Sequence, residues 1–185
     1  MELLKIVTGL FETKNKDRLT YKKIKKEVDR IADLISAPLN SLPTYGYSRD
    51  NAYPHVEIDK FGLLHYVVIE RGKETERRTT KNLDELLYWI FQSITFSIAS
   101  KYELNNRIEA QDCRRLMFSK QLGLLKLINS DWAIKRENEL SVILQSHPFD
   151  DLASLRATYC GQLRKQGFSD SDIDKLAYEK FPFSK

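Results

Sequence analysis

The chain has 185 residues, of which 42% are hydrophobic and 30% charged, the balance of an ordered globular protein and not of a disordered one. A chain of this length buries about 70% of its extended surface, so folding requires neither a disulfide framework nor a structural metal. The formal net charge of +4 excludes a uniformly basic protein. Cys113 and Cys160 are too few for a framework and predict free thiols in a reducing compartment.

The organisation predicted is a single domain over residues 1–185. It divides into a basic N-terminal helical region (1–37), a loop with an antiparallel sheet (38–80) and a helical region (81–185). The N-terminus shows no signal-peptide pattern. The longest uncharged run, 86–100, is short for a membrane span. We therefore expect a cytoplasmic protein that makes no membrane contact.

The basic residues concentrate in 14–30, which carries eight Lys/Arg against three Asp/Glu. Within it, residues 19–36 predict an amphipathic helix that ends before Pro38, with an apolar face formed by Ile24, Val28, Ile31 and Ile35. The lysines on the other face raise the hypothesis of a nucleic-acid-binding module. Lysine-rich faces are usually solvated, and base-stacking surfaces favour arginine and exposed aromatics, so this is the second choice.

A tyrosine-rich loop and three strands come next. The loop is "APLNSLPTYGYSRDNAYP". The segments "YPHVEID", "LLHYVVIE" and "TERRTT" follow, separated by the turns "DKFG" and "RGKE", and predict an antiparallel meander in chain order. The apolar second strand is expected in the middle, and the charged third strand at an edge, where charge opposes aggregation.

Everything after residue 80 has helical periodicity. Asn82 and Glu85 predict a capping pair for a central helix, apolar around much of its circumference. Further helices are predicted over 106–128 (with Ile108 inward), from Ser130 to about Gln145, over 151–166 before Gly167, and from Ser169 onward. The fold class expected is α+β, a three-stranded antiparallel meander packed against a bundle of about five to six helices.

Catalysis finds little support in the sequence. A small hydrolase centred on His65 and Asp112 is the third hypothesis. A histidine in phase with apolar neighbours is more often a hydrogen-bonded core residue. Nucleotide-cradle, nucleophile-elbow and metal-ligand motifs are missing from the chain. The pair Asp150 and Asp151 is explained by the dipole of the helix predicted at 151. We expect no enzyme, no cofactor and no metal.

Several segments resemble, as an ordered set, the immunity protein 63 family of bacterial polymorphic toxin systems. They are "LPTYGYS", "LHYVVIERGKETERRTT", "LDELLYWIFQSITFSIASKYEL", "QDCRRLMFSKQLGLL", "INSDWAIKRENEL" and "HPFDDL". The resemblance covers about 38–155. It implies a non-catalytic cytoplasmic protein whose partner is a cognate toxin domain. Residues that match the motifs are Tyr45, Gly46, His65, Tyr66, Glu70, Arg71, Gly72, Arg78, Asp84, Trp89, Asp112 and Arg115.

Two groups of site residues are predicted from the residue types together with this resemblance. Partner interfaces are anchored by aromatics and arginines, so the candidate partner-binding residues are Tyr45, Tyr47, Arg49, Tyr53, Arg71, Arg77 and Arg78. The candidate structural network consists of His65, Tyr66, Glu70, Asp84, Trp89, Asp112 and Arg115. The lysine-bearing face of the helix predicted over 19–36, which we call the lysine helix, remains a competing surface for an acidic toxin.

Overall fold

The computed structural model describes residues 19–183. It contains two compact units, with the boundary between Phe91 and Gln92. The described residues form six α-helices and a four-stranded sheet, which confirms the α+β class. The organisation of residues 1–185 as a single domain stays a prediction.

The first unit begins with helix α1, Tyr21–Leu34. The side-chain oxygen of Thr20 accepts a hydrogen bond from the backbone N–H of Lys23 and caps the helix. The four predicted apolar positions are all buried, namely Ile24, Val28, Ile31 and Ile35. A short 3-10 helix, Leu39–Ser41, follows α1. The amphipathic helix is confirmed, with its ends within two residues of those predicted.

The sheet has strands β1 (Thr44–Tyr45), β2 (Tyr53–Ile58), β3 (Leu64–Glu70) and β4 (Lys73–Thr80) in the order β1-β2-β3-β4. The antiparallel meander of β2, β3 and β4 is confirmed. Strand β1 pairs in parallel with β2, so the sheet is mixed and has one more strand than predicted. Two residues are too short for the alternation that identifies a strand in sequence.

The position of each strand explains the change in character along residues 63–80. Strand β3 lies between β2 and β4, and Leu64, Tyr66 and Val67 are buried. Strand β4 is at the edge of the sheet, and its residues are exposed or half-exposed up to Thr80. The charges of β4 therefore belong to an edge strand, as predicted.

Helix α2, Leu83–Asn105, runs through the boundary between the units. Its first part contributes Leu86, Tyr88 and Phe91 to the core. Asn82 caps it by accepting from the backbone N–H of Asp84 at 2.9 Å. The predicted return bond from Glu85 is replaced, because Thr80 donates to the Glu85 carboxylate and accepts from the Asn82 N–H.

The second unit contains, after the end of α2, helices α3 (Cys113–Ile128), α4 (Ser130–Ser146), α5 (Ala153–Lys165) and α6 (Asp170–Lys180). The prediction that a helix starts at 106 is wrong. Residues 106–112 are irregular, Ala110 has a φ of 54°, and Ile108 is 51% exposed and not inward. Asn129, one residue before the predicted Ser130, caps α4. Gly167 after α5 (φ 85°) and the Ser169 cap of α6 are confirmed.

Residues 19–183 lack two features, a membrane-spanning helix and a cluster of metal ligands. No helix in this range is long and apolar enough to cross a lipid bilayer. No group of three or more His, Cys, Asp or Glu side chains in the same range is placed to hold a metal ion.

Candidate partner-binding site

Residues 44–53, which we call the tyrosine loop, run from β1 to the first residue of β2 within the first unit. The guanidinium carbon of Arg49 lies 4.5 Å from the centroid of the Tyr53 ring. The Tyr53 hydroxyl is directed at the backbone carbonyls of Leu42 and Asn40, the latter at 2.9 Å. Tyr47 is 62% exposed. The loop thus presents one free aromatic ring and one arginine held on an anchored ring.

The backbone of the loop is strained and firmly attached to the sheet. Asp50, Asn51 and Ala52 are all left-handed, with φ of 57°, 56° and 57°. Left-handed conformations at non-glycine residues cost free energy and persist where the surroundings impose them. Here the N–H of Ala52 donates to the carbonyl of Ile69 at 2.9 Å. The Asp50 carboxylate accepts from the Gly72 N–H at 3.2 Å.

The last of these bonds joins the tyrosine loop to the turn between β3 and β4. That turn consists of Arg71 and Gly72, with φ of 53° and 72°, as a two-residue hairpin turn of this hand requires. Arg71 is exposed there. The contact between Asp50 and Gly72 brings the exposed Arg71 next to the tyrosine loop.

A pocket of about 250 Å³ lies between α1 and the tyrosine loop. Its lining includes Lys25, Asp29, Leu39, Tyr45 and Arg49. The Tyr45 hydroxyl is buried there without a hydrogen-bond partner among the described residues. Burial raises the pKa of Tyr45 well above its usual value, and the negative charge of Asp29 adds to the effect. Tyr45 is therefore a wall of this pocket and not the exposed anchor that was predicted.

The two predicted arginines of β4 are engaged within the first unit. Arg77 pairs with Glu74 at 2.7 Å and with Glu57 at 2.8 Å, and these hydrogen bonds, chiefly the one to Glu74, raise its pKa. Arg78 pairs with Glu76, and its guanidinium carbon lies 5.9 Å from the rings of Tyr66 and Trp89.

The structure therefore divides the predicted partner-binding set. The hydrogen bond from the Gly72 N–H to Asp50 places the tyrosine loop beside Arg71. Consecutive residues of a strand point to opposite faces, so Arg77 and Arg78 do not share one. Among the described residues, no carboxylate forms a salt bridge with Arg49 or Arg71, whereas Arg77 and Arg78 are both paired.

The histidines of the sheet are held by hydrogen bonds. Nδ1 of His65 lies 2.8 Å from the Thr79 hydroxyl, and Nε2 lies 3.6 Å from the Asp59 carboxylate. His55, which the sequence did not single out, is 1% exposed, and its Nε2 lies 3.0 Å from the Glu57 carboxylate. The position of His55 in "YPHVEID", between residues of alternating character, carries no signal of this contact.

The second unit contains the other charged cluster, at the start of α3. Asp112 is buried and caps the helix, accepting from the backbone N–H of Arg114 at 2.9 Å and of Asp150 at 2.8 Å. Its carboxylate also pairs with the Arg114 guanidinium at 2.6 Å. Burial by itself would raise the pKa of Asp112, but these donors outweigh it and lower the pKa to about 2.

Arg115 pairs with Asp151 at 2.7 Å, whereas the guanidinium paired with Asp112 is that of Arg114. Asp151 also accepts from the backbone N–H of Asp112 at 2.9 Å. The Asp151 carboxylate therefore serves the start of α3, a role that the predicted dipole interaction did not include. Residues Asp150 and Arg156 form a further buried pair.

The predicted structural network is therefore not one cluster. Tyr66 and Trp89 share Arg78, His65 contacts Thr79 and Asp59, and Asp112 and Arg115 belong to the second unit. Glu70 is exposed at the end of β3, and Asp84 is exposed in the first turn of α2. The hydrolase hypothesis requires His65 and Asp112 to act together. These two residues lie in different units, and each of them is hydrogen-bonded within its own unit.

The lysine helix, as far as it is described, offers a mixed surface. Lys25 pairs with Asp29 at 2.6 Å and Arg30 with Glu27 at 2.9 Å, so these two cations of the predicted basic segment are already paired. Residues 14–18, which belong to the predicted basic segment, lie outside the described residues. The nucleic-acid hypothesis stays a prediction.

Comparison with known proteins gives one match. Residues 60–142 match the family model described as Immunity protein 63, which confirms the resemblance over this range. The range runs from the turn between β2 and β3 into α4, and the tyrosine loop precedes it. No curated protein and no solved structure matches the chain.

Proposed function

We propose that the protein is a non-catalytic immunity protein that binds and neutralises a cognate bacterial toxin domain in the cytoplasm, because residues 60–142 match the family model described as Immunity protein 63. The proposed toxin-binding surface consists of the tyrosine loop and the turn formed by Arg71 and Gly72. The observation that carries this choice is the attachment of the loop to the turn through Asp50 and Gly72.

The composition of this surface supports a protein partner. Interface hot spots are enriched in tyrosine and arginine, and the surface presents Tyr47, Arg49 and Arg71. A specific interface buries about 800 Å² from each partner, so a surface that joins the loop to the neighbouring turn is favoured over either one alone.

The rigidity of the surface also supports binding. Ordering a loop on association costs free energy, and a loop held in its bound conformation avoids that cost. The tyrosine loop is held by the Ala52–Ile69 and Asp50–Gly72 hydrogen bonds, despite three left-handed residues in a row. Strain retained at a surface with such anchors is typical of functional sites.

Co-expression with the toxin domain encoded immediately upstream tests the proposal. We expect the wild-type chain to restore growth and to co-purify with the toxin in a stoichiometric complex. The double variant Tyr47→Ala, Arg71→Glu should lose both, because it removes the exposed ring and reverses one charge. Phe61→Ala is the matched control, since Phe61 is an aromatic 77% exposed at the turn between β2 and β3, the other end of β3.

The co-expression results for the wild-type chain and for the double variant test the proposed function and the proposed binding surface separately. A folded wild-type chain that neither rescues growth nor co-purifies would show that the proposed function is wrong. Full rescue by the double variant would keep the function and reject the tyrosine loop as its surface.

A further inference from the structure

We propose that Arg49 and the pocket beside it receive an acidic side chain of the toxin, with Arg49 binding the carboxylate and the pocket taking the stem of that side chain. This inference rests on the proposed function and specifies the chemistry of the partner at the tyrosine loop.

The first reason is that Arg49 is held in position by an aromatic ring and forms no salt bridge with another of the described residues. Its guanidinium lies over the Tyr53 ring, and the Tyr53 hydroxyl is anchored to backbone carbonyls beside the 3-10 helix. Stacking uses the face of the guanidinium and leaves its N–H edges in the plane. No carboxylate of the described residues takes those edges. Arginine is suited to bidentate recognition of a carboxylate, which lysine does not provide.

The second reason is the charge of the pocket. Lys25 and Asp29, which both line it, neutralise each other at 2.6 Å. Arg49 is then the one uncompensated charge of the lining, and it is positive. A partner group of the opposite charge is favoured here, and a basic group is disfavoured by the same interaction.

The third reason is the size and the shape of the pocket. Sites that hold drug-sized ligands measure about 300–1,000 Å³, and a pocket of about 250 Å³ is smaller, as suits a single side chain. Leu39 is 84% exposed at its rim and offers apolar contact to the methylene groups of an acidic side chain.

The experiment measures the dissociation constant of the complex between the full chain and a catalytically inactive form of the upstream toxin domain, by calorimetry at two salt concentrations. Removing one partner of a buried, hydrogen-bonded charge pair costs about 2–5 kcal/mol, so Arg49→Gln should raise the dissociation constant by about 30-fold or more. Arg49→Lys keeps the positive charge but loses the two parallel N–H donors of the guanidinium. We expect its affinity to lie between those of the wild type and Arg49→Gln.

Arg30→Gln is the matched control, because it removes the same charge from an exposed arginine of the same unit that is already paired with Glu27. We expect it to change the dissociation constant by less than about threefold. Equal losses in the Arg30 and Arg49 variants, or full recovery by Arg49→Lys, would overturn the inference in favour of general charge attraction. If Arg49→Gln left the dissociation constant unchanged, the inference alone would be overturned. If the wild-type chain formed no complex with the toxin domain, the proposed function would be overturned together with the inference.

Discussion

The four arginines of the predicted partner-binding set differ in what surrounds them. Arg77 and Arg78 are paired with glutamates of the sheet, whereas Arg49 and Arg71 meet no carboxylate among the described residues. Residue type predicted all four equally, because a sequence shows which side chains can bind and not which are already engaged. The alternating face of a strand indicates where Arg77 points, but the glutamates that meet it come from β2 and from the bulge region of β4.

At the residue scale, Asp112 gives a test of the charged cluster that starts α3. Its pKa of about 2 in the folded chain lies below the ordinary value of 3.8. A carboxyl whose pKa is lowered on folding adds stability above its unfolded pKa and loses it as the pH falls toward the folded pKa. The contribution of Asp112 is about 2 kcal/mol at neutral pH and is lost between about pH 4 and pH 2.

Asp112→Asn isolates the charge, since asparagine is also a good N-cap. We expect the wild-type chain to exceed the variant in free energy of unfolding at pH 6, and this difference to shrink as the pH falls below about 4. Urea unfolding at several pH values measures it. Asn129→Ser serves as the control, because Asn129 caps α4 with a side chain that carries no ionisable group, so its effect should be the same at every pH. A constant difference for Asp112→Asn would contradict the assignment.

At the element scale, the tyrosine loop combines local strain with attachment to the neighbouring turn. Ala52→Gly should relieve the left-handed strain of the folded chain, but glycine also adds entropy to the unfolded chain. Because the first effect offsets the second, the free energy of unfolding should stay equal or rise by up to about 1 kcal/mol. The same change should weaken toxin binding, because a freer loop must be ordered on association.

Ala110→Gly is the matched control for this prediction. Ala110 is also left-handed, with a φ of 54°, but it lies in the second unit before α3. Its replacement should affect stability in the same direction and leave the dissociation constant of the toxin complex unchanged. If Ala52→Gly binds the toxin as tightly as the wild type, the rigidity of the loop does not contribute to binding.

The elements also show how far the sequence determines the fold. The apolar face of α1, the meander and the Ser169 cap were predictable, because each is encoded by local periodicity or by one capping residue. The start of α3 was not, since Asp112 becomes its cap through contacts with Arg114 and the distant backbone of Asp150. The site shows the same limit. The tyrosines were identifiable by type, but the bond from Asp50 to Gly72 spans 22 residues and leaves no local pattern.

At the scale of the whole molecule, the family match and the proposed binding surface occupy different parts of the chain. Residues 60–142 match the immunity protein 63 model, and the tyrosine loop at 44–53 precedes the match. The turn formed by Arg71 and Gly72 lies inside it. The proposed surface therefore joins a loop outside the matched range to a turn within it. Under the proposed function, the loop outside the matched range would determine which toxin is bound, since binding residues are often found on loops held by a rigid scaffold.

Hydrogen exchange of the full chain, free and in complex with the inactive upstream toxin domain, locates the surface that binds the toxin. We expect the complex to slow exchange at the exposed amides of residues 46–52 and at the turn of Arg71 and Gly72, while helix α4 exchanges as in the free protein. Protection confined to α1 or to the helices of the second unit, with the tyrosine loop unchanged, would contradict this expectation.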